Sequence, residues 1–79
     1  MDYYKGHYPA IILALLERDG DSYGYEMNAK IAFLTDDEVS LTEATLYTTL
    51  KDLLANEMIT CYLKLGNNNI NRKYYSMTD

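Results

Sequence analysis

The side chains equipped for chemistry in this sequence are bases and hydroxyls rather than nucleophiles. Lys64, Arg72 and Lys73 crowd around the Asn67-Asn68-Asn69 run near the chain end. Lysine and arginine neutralise phosphates, and an asparagine such as Asn68 can donate to a phosphate or to the minor groove. Upstream, Ser40, Thr42, Ala44, Thr45, Tyr47, Thr48 and Lys51 fall within one short stretch. Small and hydroxyl residues let a helix approach a duplex closely. Threonine can bond base edges or phosphates, and alanine can touch a thymine methyl. No arginine stands there for a bidentate guanine contact, so direct readout is expected to be weak. Both groups have ordinary readings as well. A charged strand discourages edge-to-edge aggregation, and a Thr/Ala helix face is often just solvated.

Other chemistry finds little support. His7 and Cys61 are the only histidine and cysteine, and neither has a spaced partner for catalysis or metal ligation. Asp36-Asp37-Glu38 reads as a solvated loop, and no Gly-rich phosphate loop is present. The reading is therefore of a non-enzyme with no cofactor and no metal. A lone cysteine fits a reducing, cytoplasmic setting. The longest apolar run, Pro9 to Leu16, is far short of the roughly 20 residues that cross a bilayer, so no membrane partner is expected.

With 79 residues, the chain has room for one domain. Its 12 acids and 7 bases give a net charge of -5, but the balance is uneven. Residues 1–58 carry net -7 and residues 59–79 net +2. A core this small rarely supplies more than ~3–5 kcal/mol, so self-association is an expected further source of stability. The nine tyrosines include Tyr3, Tyr4 and Tyr8 near the start, and as a group they favour an interface. Helix one is the expected contact, through Tyr4, Tyr8, Ile11 and Leu15.

The elements that would position these groups follow from periodicity. Tyr8, Ile12, Leu15 and Leu16 fall on one face of a helix beginning at Tyr4 or His7 and ending near Glu17, with Gly20 as its cap. A second helix fits Tyr23 to Leu34, capped by Ser22 or Asp21. Its first turn offers free N–H groups to a phosphate oxygen. Ser40-Leu41-Thr42-Glu43 matches a capping box and opens a third helix, about 41–56, with Leu46, Leu50, Leu53 and Leu54 inward. Ala44, Thr48 and Lys51 are then outward, flanked by Thr45, with Tyr47 at the side. After Met58 the period changes from 3.6 to 2, predicting antiparallel strands over 59–65 and 71–77. The result is a mainly α chain with a small antiparallel β-hairpin: a winged helix-turn-helix of three helices plus wing.

At this point the sequence resembles the PadR-type transcriptional regulators. Lys5-Gly6-His7 with Ile11 to Leu16 is similar to that family's start, and Tyr23-Gly24-Tyr25-Glu26-Met27 to the opening of its second helix. Ser40 with Thr45-Leu46-Tyr47, Leu50 and Leu53 resembles its recognition helix. Met58-Ile59 stands at its step into the wing, and Arg72 to Thr78 is similar to "RKYYxLT" on the second wing strand. The resemblance implies a cytoplasmic, dimeric repressor on near-palindromic double-stranded DNA, often with a small aromatic or cationic effector. Thr48 and Thr49 stand where a Pro commonly sits, and Lys51 is the sole base in the third helix. The family's C-terminal dimerisation helix would lie beyond Asp79, leaving residues 1–79 as a single winged-helix domain. The acidic helical portion supports a second reading, a small winged-helix protein that binds or inhibits a protein partner.

Overall fold

The computed structural model describes residues 7–66 and 70–78. Its elements are α1 (Tyr8–Asp19), β1 (Ser22–Tyr23), α2 (Gly24–Leu34), α3 (Glu43–Ala55), β2 (Ile59–Leu65) and β3 (Asn71–Met77). The three strands form one antiparallel sheet in the order β1-β3-β2. The three helices and the hairpin stand where periodicity puts them. The short strand β1 is additional, so the wing is three-stranded at its base.

Each helix exists because one stripe of its surface is apolar and has somewhere to go. Ile12, Leu15 and Leu16 of α1, Met27 and Ile31 of α2, and Leu46, Leu50 and Leu53 of α3 converge with Val39, Leu41, Ile59 and Tyr75 on one core. Pro9 lies in the first turn of α1, where its missing N–H costs no helical bond. Helix α1 runs two residues past Glu17 and ends at Gly20, whose φ is 82° and whose N–H donates to Leu16 O at 2.9 Å.

The start of α3 corrects the capping box. The N-cap is Thr42, whose hydroxyl accepts from Thr45 N at 3.1 Å, and Ser40 lies outside the helix. Two hydroxyls competed for the cap. Thr42 prevails because Leu41, between them, is buried in the core and fixes the approach of the chain. At the other end Glu57 N–H donates to Leu54 O and Met58 N–H to Leu53 O, both at 3.0 Å. This is the Schellman arrangement, with Glu57 at φ 59° in the left-handed position usually held by glycine. It turns the chain straight into β2.

Only the base of the hairpin belongs to the core. Ile59 is the one buried residue of β2 and Tyr75 the one buried residue of β3. The remainder projects as a wing, with Leu63 and Leu65 exposed on one side of it. Thr78 secures its base, donating to the carbonyl oxygens of Glu57 and Met58 at 3.0 and 2.9 Å.

Candidate nucleic-acid interface

Burial along α3 separates the helix into two sides. Leu46, Thr49, Leu50 and Leu53 are buried, while Ala44, Tyr47, Thr48 and Lys51 are exposed and Thr45 half-exposed. Thr49 turns inward and donates its hydroxyl to Thr45 O at 2.8 Å, so only Thr48 of that pair faces outward. Thr42 Oγ1 donates to Thr45 Oγ1 at 2.9 Å. Both hydroxyls retain acceptor capacity but are held in place. The exposed residues of α3 include one base, Lys51, and two acids, Asp52 beside it and Glu43 at the start of the helix. They do not make the continuous acidic surface that a partner-binding reading would require.

What aims α3 is a contact the sequence did not disclose. Asn28, on α2, brackets the peptide of Leu41: its Nδ2 donates to Leu41 O at 2.6 Å and its Oδ1 accepts from Leu41 N at 3.0 Å. Leu41 immediately precedes the Thr42 cap, so this bracket ties the start of α3 to the middle of α2. Thr35 organises the same connection, donating to Ile31 O at 2.8 Å and accepting from Val39 N at 3.1 Å. Asp36 and Asp37 turn the chain there at φ 52° and 62°. An open groove of about 530 Å³ runs between α2 and α3, lined by Asn28, Ala29, Ala32, Ser40 and Tyr47 among others.

Tyr47 leans from α3 onto the first residue of α2. A Cβ at Gly24 would collide with the Tyr47 hydroxyl and lie 2.9 Å from its Cζ. Glycine at position 24 is therefore what lets the phenol rest over the N-terminal turn. Lys73 and Arg72 border the same spot, lining a depression of about 310 Å³ with Tyr25, Tyr47 and Ile70.

Strand alternation distributes the wing bases between two faces. The register pairs Lys64 with Arg72, Tyr62 with Tyr74 and Tyr23 with Tyr74, so these five share the outer face. Lys73 pairs with Leu63 on the other face, the one that carries the buried Tyr75. Arg72 lies between Lys64 and Lys73, lining one depression with Lys73 and another with Lys64, while Lys51 on α3 lines neither. Among the described residues none of the four makes an ion pair. Arg72 Cζ lies 4.5 Å from the centre of the Tyr23 ring, and Lys64 Nζ 5.2 Å from that of Tyr74. Among the described residues the hydrogen-bonded carboxylate here is Asp21, which accepts from Tyr62 Oη at 2.6 Å. That bond holds the Asp21 carboxyl below its usual range and pushes the Tyr62 phenol up. Burial pushes the Tyr75 phenol up.

The family model described as the transcriptional regulator PadR-like family matches residues 12–79. The chain belongs to the PadR-like family. A transcriptional regulator from Clostridium thermocellum is similar at a TM-score of 0.84 and 38% identity, over 99% of this chain and 74% of that one. Bacillus subtilis PadR, solved in complex with operator DNA, is similar at 0.74 and 27% identity, over 90% of this chain and 40% of that one. An uncharacterized protein of Lysinibacillus sphaericus is 36% identical over 77 residues, 98% of this chain and 70% of its own length.

Within this PadR-like domain the residues expected at an interface separate. Tyr8 and Ile11 are half-buried and pack against the core. Leu15 is fully buried inside the chain, which corrects its placement at a subunit contact: it has no surface to offer. Its position on the helix repeats that of Ile11, which is why spacing alone grouped them. Tyr4 and Asn68 lie outside the described residues. Among the described residues no group of His, Cys, Asp and Glu could hold a metal ion, and no helix is long and apolar enough to cross a membrane.

Proposed function

We propose that this PadR-like regulator acts as a repressor that binds double-stranded operator DNA through α3 and the wing. Ala44, Thr48 and Lys51, flanked by Thr45, enter the major groove. Ser40, Thr42 and Tyr47 meet the flanking backbone, and Lys64, Arg72 and Lys73 neutralise phosphates. The observation that carries the reading is the outward face of α3. It is small, hydroxyl-bearing and free of a continuous acidic surface, on a helix whose opposite side is locked into the core. The similarity to Bacillus subtilis PadR, a protein solved with operator DNA, supports it.

Residues 1–79 act as one winged-helix unit, and two copies read a near-palindromic site, with Tyr4, Tyr8 and Ile11 at the contact. A small aromatic effector modulates the complex, and the protein works in the cytoplasm. The test is titration of labelled random and promoter duplexes at two salt concentrations. Binding that weakens with salt and favours some promoter sequences supports the proposal. No binding at low salt overturns it. Changing Thr48 to a bulky residue should abolish site preference by holding the helix out of the groove.

A further inference from the structure

We propose that Tyr23 and Tyr74 are positioning residues that hold Arg72 and Lys64 as a paired phosphate clamp on the outer face of the wing. The inference rests on the DNA-binding reading above and assigns part of that binding to residues outside α3. Antiparallel register puts Lys64 directly across from Arg72, one step along from the Tyr62–Tyr74 pair. Beneath the two cations the rings form a ladder across all three strands. Tyr62 stacks on Tyr74 with centroids 5.8 Å apart, and Tyr74 meets Tyr23 edge-on at 5.4 Å. Each cation then leans one strand toward β1, Lys64 over Tyr74 and Arg72 over Tyr23.

This arrangement does three things for anion binding. A guanidinium lying on a ring uses its face and leaves its in-plane N–H donors open. Long side chains already held against rings lose less freedom when a ligand arrives. And Asp21, the carboxylate that attracts Lys64, is hydrogen-bonded by Tyr62 and forms no ion pair with the lysine, so the ammonium keeps its N–H donors open. Gly66 supplies the room, since a Cβ there would lie 3.3 Å from Arg72 Cδ and Nε. The shallow depression of about 310 Å³ between Tyr23, Lys64, Gly66, Arg72 and Tyr74 is open to a phosphodiester. Tyr23 is also the residue that caps α2, so the clamp is tied to the helix-turn-helix rather than to the wing alone.

The test is a double-substitution cycle on duplex affinity, read by fluorescence anisotropy with a random-sequence duplex at low salt. Arg72→Gln should flatten the slope of log K against log salt by about 0.9, one phosphate contact. Tyr23→Leu should weaken binding roughly three- to tenfold in the wild-type background, the cost of holding one long side chain at the moment of binding. On the Arg72→Gln background the same change should have almost no effect, because Tyr23 acts through Arg72. Tyr23→Phe, which keeps the ring, should bind as wild type does. Equal losses from Tyr23→Leu in both backgrounds would mean a merely structural role and would overturn the proposal while leaving DNA binding intact. A wild-type protein that binds no duplex removes the clamp and the DNA-binding reading together. Should Tyr23→Leu fail to fold, the wild-type NMR spectrum decides: the Arg72 δ-methylene protons are expected upfield from the ring current of Tyr23. Their appearance at ordinary positions overturns the stacking on which the clamp depends.

Discussion

Asn28 is expected to be worth more to this domain than any other surface-accessible polar side chain. Asn28→Ala removes both bonds to the Leu41 peptide. Leu41 is 4% exposed, so little water reaches the peptide to replace them. At ~0.5–1.5 kcal/mol net per bond, the loss is about 1–3 kcal/mol. In a domain whose core supplies only ~3–5 kcal/mol, that is a large fraction of the total. Asn28→Asp separates the two bonds. The substituted carboxylate still accepts from Leu41 N–H, but it also faces the Leu41 carbonyl oxygen, where a donor is needed. Protonation restores that donor, so folding raises the pKa of this carboxyl. The folded state then binds more protons than the unfolded one, and stability rises as pH falls through the raised value. Urea unfolding followed by circular dichroism, at neutral pH and near pH 4–5, measures both effects. If Asn28→Ala unfolds within about 0.5 kcal/mol of wild type, or if Asn28→Asp is equally stable at the two pH values, the bracket does not hold α3.

Gly24→Ala gains up to ~1 kcal/mol of helix preference and costs ~0.5–1.5 kcal/mol to swing Tyr47 aside. The thermal midpoint should therefore move by less than about 8 °C while duplex affinity drops, and a large loss of stability would contradict this account. Tyr62→Phe should lose an advantage that wild type holds only between two titrations. Asp21 is depressed below 3.8, so its contribution is present above that pH and disappears as pH falls through the lower folded value. Tyr62 is raised above 10.0, so its contribution is present below 10.0 and disappears as pH rises through the higher one. A urea midpoint difference between the two proteins that does not shrink at either extreme would exclude the Asp21 bond as its source. Lys73→Ala should weaken binding to all duplexes alike and flatten the salt slope by about 0.9. Sequence-dependent losses would show that Lys73 reads bases.

The hairpin was legible to the residue because its signals are local. Alternation from Ile59 to Leu65, a turn cluster, and a second run from Asn71 to Met77 leave little freedom in register. The α3 cap was displaced by two residues because Ser40 and Thr42 both satisfy the local rule, and a tertiary fact, the burial of Leu41, chooses between them. Strand β1 was illegible for the same reason. Ser22 and Tyr23 are extended only because Tyr75 and Tyr74 pair with them. Ser22 looked like a helix cap but is buried, accepting from Lys30 Nζ at 3.0 Å. The outward face of α3 could be read from the positions of its leucines. The Asn28 bracket and the tyrosine ladder could not, since each joins segments whose separation carries no periodic signal.

The two-residue strand β1 also dictates when the domain can be completed. As the chain is made, all three helices and β2 emerge before β3. The hairpin itself closes quickly, on the order of 1–10 μs once both of its strands exist. But Ser22 and Tyr23 must wait for Tyr74 and Tyr75, made long after them, and that pairing closes a long loop whose entropy is lost before its contacts form. Until then α2 lacks its anchored first turn, the core lacks Tyr75, and Arg72 has no ring to rest on. A nascent or truncated chain stopping short of β3 is thus a partly packed helical assembly with its apolar core open. Competence for recognition is gained only once β3 has been made and paired with β1.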